Sequence, residues 1–265
     1  MIWWFLLGLA VIALSWRYQW WRQSVGYEHP RILMYHMVSD HRPGAKFNKL
    51  RVPQAEFERQ IEYLATHGWR FAHVSELSGP LPPKTVVLTF DDGYRDNLLQ
   101  AHPVLARYDA KATLYLVVDR FDRDWSAAKK AHHNTGELMR EEKLSDAEIR
   151  DLLDSGLWEL GAHTLSHANL LNTPEVDKRR EIAESRRVLA DQFATDIPSF
   201  AYPFGLYGPD DVVLAQQAGY AFAVTTNEGI DSYPYSAPLE LKRIKVSGTE
   251  GLASFRLRLR TGRRK

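Results

Sequence analysis

Cysteine is absent from the chain. That excludes disulfides and thiolate metal sites, so any bound metal must be held by histidine and carboxylate. It fits a reducing or an oxidising compartment equally well. A charge excess is missing too. Lys and Arg number 34 against 33 for Asp and Glu, a net charge of +1, which argues against nucleic acid as the partner. No repeat or low-complexity tract is visible, and no positive n-region precedes the first apolar stretch, as a cleaved signal peptide would require. What is present is enough apolar sequence for a substantial core, 45% of 265 residues, in one large domain or two small ones.

The apolar start stands apart. Ile2 to Trp16 carries no charge and is followed by Arg17, Tyr18, Trp20, Trp21 and Arg22. A bilayer core needs ~20 apolar residues, so the run is short, but Arg17 could snorkel and the aromatic residues could sit at headgroup level. The reading is a single-pass membrane anchor over 1–22, with a buried core helix as the alternative. The arginines after the run would by charge place the domain in the cytoplasm.

A polar linker over 23–30 leads into an alternation of strand and helix. Arg31–His36 reads as a strand, Pro53–Thr66 as a helix with Phe57, Ile61 and Leu64 on one face, and Lys84–Phe90 as a buried strand after Pro82-Pro83. A helix carrying Leu98, Leu99, Val104 and Leu105 precedes a strand at Ala112–Val118. Asp119 to Glu142 is polar and reads as an inserted loop, with His132 and His133 solvated. Ser145 to Glu148 is a capping box that opens a helix stopping at Gly156. Then come a strand over Leu157–Ala162, a helix from Pro174 to about Phe193, and a strand over Ser199–Phe204. A helix over Pro209–Ala218 and strands at Ala221–Thr226 and Arg243–Ser247 complete the series. The tail over 251–265, with Arg256, Arg258, Arg260, Arg263, Arg264 and Lys265, reads as a solvated basic end; attraction to anionic lipid or an acidic glycan is the alternative. Such alternation implies parallel pairing with helices outside. Chemistry in these folds collects at the C-terminal ends of strands, where His36, Asp91, Asp92, His163 and Phe204 all fall.

Two segments carry that chemistry. Thr89-Phe90-Asp91-Asp92-Gly93-Tyr94 ends a buried strand with adjacent carboxylates, and His163-Thr164-Leu165-Ser166-His167 sets two imidazoles four residues apart. One carboxylate and two imidazoles form an open three-ligand set for a divalent ion. The other carboxylate is free to act as a base on water whose pKa the ion lowers to ~7. Neighbouring strand residues point to opposite faces, so the chain must bend after Phe90, and Gly93 is placed to allow it. Taken singly, Asp91-Asp92-Gly93 is a common turn and the histidines could be surface or capping residues; together they read as a metal site.

These motifs in this order resemble the polysaccharide deacetylases, the NodB-homology or carbohydrate esterase family 4 enzymes, over roughly Arg31 to Ser247. The resemblance implies an α/β fold, a distorted (β/α) barrel of the NodB-homology type with the N-terminal apolar anchor helix added, and a catalytic domain over 31–250. It implies that Asp91 is the base and that Asp92, His163 and His167 hold the metal. Zinc is the first expectation, and cobalt or nickel suit the same ligands. Ala201-Tyr202-Pro203-Phe204-Gly205 matches the third motif, in which the Phe204 backbone N–H would hold the oxyanion. Met34-Tyr35-His36-Met37-Val38 is similar to the poly-N-acetylglucosamine deacetylase branch, which implies His36 as general acid; a satisfied core histidine is the plainer reading. Tyr94, Tyr202 and Tyr207, with Pro203, are candidates to line a sugar groove or simply to pack. Two departures stand out: Ala201 replaces the usual Arg of the third motif, and Leu241-Lys242-Arg243-Ile244-Lys245-Val246 lacks the late histidine. Both fit the His36 branch.

The function expected is hydrolysis of the acetamide of an N-acetylated amino sugar in a cell-envelope polysaccharide or lipid-linked glycan. A deformylase or deacylase of a lipid-carried amino sugar and a catalytically silent glycan-binding module are the alternatives. The expected partners are the N-acetylated glycan and, through the anchor, a membrane, with no nucleic acid. The chain is expected to be a monomer, its catalytic domain extracytoplasmic (periplasmic or cell surface), with the cytoplasmic face, which the arginines favour, as the alternative.

Overall fold

The structure, a computed structural model, describes residues 2–18, 21, 23–125, 133 and 135–263. Trp20, Arg22, His132, Arg264 and Lys265, named above, lie outside the described residues, as do the side chains of Arg17 and Tyr18.

Seven parallel strands close a barrel in the order β1 (Arg31–Tyr35), β10 (Leu241–Lys245), β9 (Phe222–Glu228), β8 (Ser199–Ala201), β7 (Trp158–Ala162), β6 (Ala112–Leu116) and β5 (Thr85–Asp91), with β5 pairing back to β1. An eighth, β4 (Arg70–Ala72), pairs with Thr85–Val87 of β5, while β6 takes the same strand from Leu88 onward. The barrel is thus distorted at β5, and it is thin at β8, joined to β7 by the single pair Ala162 and Phe200. Outside it β2 (Met37–Val38) and β3 (Arg51–Val52) form a short parallel ribbon that the sequence reading did not contain.

The strands are buried on both faces, the condition of a parallel sheet wrapped in helices. In β5 all seven residues are buried. Val86, Leu88 and Phe90 join the large core that includes Phe57, Ile61, Val104, Leu105, Ile149, Leu189 and Phe255. Val87 belongs to a separate cluster with Ile32, Tyr115, Val224 and Leu241. Asp91 is in phase with Val87 and Thr89, which puts its carboxylate on their side of the strand.

Several expectations are corrected. The helix predicted after Pro174 runs Glu175–Arg179 and Ser185–Phe193 with a π turn, Arg180–Glu184, between them. The strand expected over Ser199–Phe204 stops at Ala201, and the last strand is Leu241–Lys245 rather than Arg243–Ser247. The basic tail is a helix, Leu252–Thr261, with Phe255 and Leu259 in the core. Arg258 is 3% exposed and paired with Glu250: one buried apolar side chain per turn, Phe255 and then Leu259, outweighs the run of arginines. The 23–30 segment is held against that helix, since Val25 N–H donates to Arg260 O (2.9 Å) and Arg31 donates to Val25 O (2.7 Å) and Leu259 O (2.9 Å).

The N-terminal run is helical over Ile2–Tyr18, 17 residues, and Trp3 and Trp4 are 82% and 78% exposed. At 1.5 Å per residue its length is ~26 Å, short of a ~30 Å hydrocarbon core. Among the described residues no helix is long and apolar enough to cross a membrane. The expected single-pass anchor is not borne out.

Candidate active site

The loops at the C-terminal ends of β1, β5, β7, β8 and β10 meet over a cavity of about 370 Å³. Its polar lining is His36, Asp91, Asp92, His133, His163, His167, Thr226 and Lys245, and apolar walls come from Met34, Phe47, Leu50, Trp125, Leu138 and Phe204.

Asp92, His163 and His167, all buried, offer one ligand atom each within 4.8 Å of one another. Asp92 Oδ1 lies 3.5 Å from His163 Nε2 and 3.2 Å from His167 Nε2. Sharp backbone turns make this possible. Asp91 ends β5, and the bend expected at Gly93 begins one residue earlier: Asp92 has φ 78° and Gly93 φ 73°. Thr164 and His167 also sit at positive φ, 66° and 59°. Four strained or permissive positions in two motifs turn three side chains toward one point.

The donor set suits a divalent cation. His163 Nδ1 lies 2.7 Å from the carbonyl oxygen of Ala201; a carbonyl only accepts, so Nδ1 carries the proton and Nε2 presents a lone pair. In the neutral ring that lone pair faces Asp92 Oδ1, which is buried and has no hydrogen-bond partner among the described residues. Two acceptors facing each other out of water repel unless a cation lies between them. The edge of a tetrahedron around an ion with bonds of ~2.0–2.1 Å is ~3.3 Å, a value that lies between the two spacings. Burial lowers His167 despite Asp92, which keeps its imidazole neutral and able to ligate.

Asp91 is gripped from the other side. Arg243 donates to both its oxygens, at 2.7 and 2.8 Å, and also to Thr89 Oγ1 (3.0 Å) and Thr225 O (2.8 Å). Burial pushes Asp91 up, and the Arg243 guanidinium more than offsets this, so the carboxyl lies below its ordinary range and stays ionised. His36 Nε2 stands 4.0 Å from Asp91 Oδ2, and the buried Asn97 amide donates to His36 O at 2.9 Å. Phe204, in a left-handed turn at φ 59°, lines the cavity and sets its ring edge against His167 at 4.4 Å.

The structure therefore brings together Asp91, Asp92, His36, His163, His167 and Phe204. It does not bring the four candidate sugar-groove residues into the cavity wall. Tyr94 is 1% exposed and Tyr202 fully buried, its hydroxyl bound to Leu239 O. Pro203 is buried, and Tyr207 stacks on Tyr202 and donates to Glu240. Arg243 was not identified from sequence: in Leu241–Lys245 only Lys242 is exposed, and Arg243 is buried beside the apolar Leu241 and Ile244. Trp125, Leu138 and His133 come from the stretch read as a solvated loop; His133 in fact meets Phe47 edge-on at 5.5 Å and lines the cavity.

Known proteins agree with this geometry. A sequence profile described as polysaccharide deacetylase matches residues 78–223. The Bacillus subtilis (strain 168) protein YxkH, whose name places it among polysaccharide deacetylases, is 31% identical over 229 residues, 84% of this chain and 73% of its own. A Staphylococcus aureus poly-beta-1,6-N-acetyl-D-glucosamine N-deacetylase is 26% identical over 209 residues, 74% of this chain and 68% of its own. Among solved structures, the Bacillus cereus polysaccharide deacetylase BC0361 superposes with TM-score 0.74 at 25% identity, covering 88% of this chain and 69% of that one. The Streptococcus pyogenes deacetylase PplD, in complex with acetate, gives 0.69 at 26% identity, covering 86% and 96%. With the profile spanning more than half of the chain and both paired motifs in place at the barrel mouth, the chain belongs to the polysaccharide deacetylase family.

Proposed function

We propose that the protein is a divalent-metal-dependent N-deacetylase that hydrolyses the acetamide of an N-acetylated amino sugar within a glycan polymer, poly-β-1,6-N-acetylglucosamine being the model substrate. The observation that carries this is the buried Asp92, His163 and His167 triad beside an ionised Asp91 fixed by Arg243. When bound, the cation supplies Lewis acidity toward the amide carbonyl and lowers the pKa of water. Zinc, cobalt and nickel all suit the ligands.

The chain's own residues do the rest. Asp91 accepts a proton from the attacking water as the carbon–oxygen bond forms. The backbone N–H of Phe204, a residue of the cavity lining, stabilises the oxyanion, a contribution worth ~2.7–4 kcal/mol in comparable sites. His36, whose Nε2 stands 4.0 Å from Asp91 Oδ2, delivers the proton that lets the amine leave, giving acetate and a free amino sugar. Asn97 fixes the His36 backbone and Arg243 fixes Asp91; both are positioning residues. The apolar wall of Met34, Leu50 and Leu138 suits the acetyl methyl group. A polymer of this class supports a catalytic domain outside the cytoplasm.

The test is acetate release from poly-β-1,6-N-acetylglucosamine and from chitooligosaccharide. Activity is expected to disappear with a chelator, return with zinc, and fall by at least ~10²-fold in Asp91→Asn. A protein that binds metal stoichiometrically yet cleaves no acylated sugar would refute the reading.

A further inference from the structure

The two imidazoles of the triad are held in different ways. A ligating histidine ordinarily donates its second ring N–H to an oxygen, which fixes the tautomer and the ring plane. His163 does this through Nδ1 to Ala201 O at 2.7 Å. Nδ1 of His167 is buried and has no hydrogen-bond partner among the described residues. Carbon meets the ring instead. The Trp125 indole stacks on it at 4.9 Å between centroids and 28° between planes, and Phe204 closes the other approach edge-on at 4.4 Å and 90°.

Trp125 does not come from a barrel strand. It lies in the segment after β6, is 4% exposed, and is covered by Lys143, whose Nζ stands 5.0 Å from the Trp125 ring and 4.4 Å from the Tyr94 ring. The same ammonium donates to the carbonyls of Leu138 and Glu141 at 2.9 Å each. One cation thus ties the C-terminal end of the segment to the indole.

We propose that Trp125 is a positioning residue for His167: an aromatic clamp, supplied by the segment between β6 and the helix Asp146–Asp154, takes the place of the missing outer hydrogen bond and completes the cation site. The inference rests on the triad reading given above. A hydrogen bond selects one ring orientation by its direction, whereas a stack selects it only by shape. Removing the indole therefore frees the ring to turn its Nε2 away from Asp92, while His163 remains fixed by Ala201.

Zinc affinity, measured by competition with a chromophoric chelator on the full chain, tests this without reference to any glycan. Trp125→Ala is expected to bind zinc 10–100-fold more weakly than the wild type, the range for loss of an outer partner. Trp125→Phe, which keeps a stacking ring, is expected to stay within ~3-fold. Trp125→Leu keeps apolar volume without a flat face; it guards against a folding defect in the alanine variant and is expected to resemble alanine. In cobalt-loaded protein the visible ligand-field bands are expected to shift in Trp125→Leu and to remain in Trp125→Phe. Equal zinc affinity in all four proteins, or equal loss in the phenylalanine and leucine variants, overturns the clamp. A wild type that binds no zinc at one equivalent overturns the triad reading itself.

Discussion

Replacing Arg243 by methionine tests the electrostatic design of the site most directly. Arg243 is fully buried, and its guanidinium makes four hydrogen bonds, two of them to the Asp91 carboxylate. Methionine preserves an unbranched side chain but leaves Asp91 charged, buried and alone, and the Thr225 carbonyl unpaired. Breaking one side of a buried pair costs ~3–5 kcal/mol, against a total of ~5–15 kcal/mol for a domain, so the variant should fold with little margin. Asp91 should respond by taking up a proton, because burial, no longer opposed by Arg243, pushes its carboxyl upward. The base is then lost at neutral pH, and the acid limb of the pH–rate profile should move to higher pH. Arg243→Met/Asp91→Asn removes both charges and should recover ~2–4 kcal/mol relative to the sum of the single variants. Urea denaturation of the four proteins at pH 7.5 in excess chelator isolates this term from metal binding. Single-variant costs that add to within ~0.5 kcal/mol, or an Arg243→Met protein as stable as the wild type, would show that the pair is not coupled.

Asp96 offers a pH test in the opposite direction. Burial pushes its carboxyl up to about 7, against hydrogen bonds from Val38 and Ser39. Between ~4 and ~7 the folded state therefore holds the proton that the unfolded state has released, and stability falls as pH rises across that window. Asp96→Asn should gain stability over the wild type, by up to ~4 kcal/mol above pH 7 and progressively less toward pH 5; a pH-independent difference in urea midpoint would refute this. At Gly248 a Cβ would stand 1.6 Å from the Arg51 carbonyl oxygen, so Gly248→Ala must move backbone between β10 and β3. A loss of ~1–3 kcal/mol is expected, and an unchanged melting temperature would show that the contact yields freely.

The paired carboxylates, the paired histidines and the strand–helix alternation were legible in sequence because each is a local pattern: a short continuous apolar run, a capping box, ligands a fixed few residues apart. The bend at Asp92 was legible in need but not in place, since it falls on a non-glycine residue. Trp125 and Leu138 were hidden because a mostly polar stretch gives no periodicity to show which few side chains turn inward. The helix Leu252–Thr261 was hidden by its arginines, whose charge masks the buried face carrying Phe255 and Leu259.

Sequence by itself thus determined the chemistry available: which side chains can ligate, which can take a proton, and at which strand ends they stand. Only tertiary structure decided what governs them. Arg243 lies 152 positions from Asp91, and nothing local links the two. Barrel closure brings the inward face of β10 level with that of β5, and a buried carboxylate must find its counter-charge wherever the strand register supplies one.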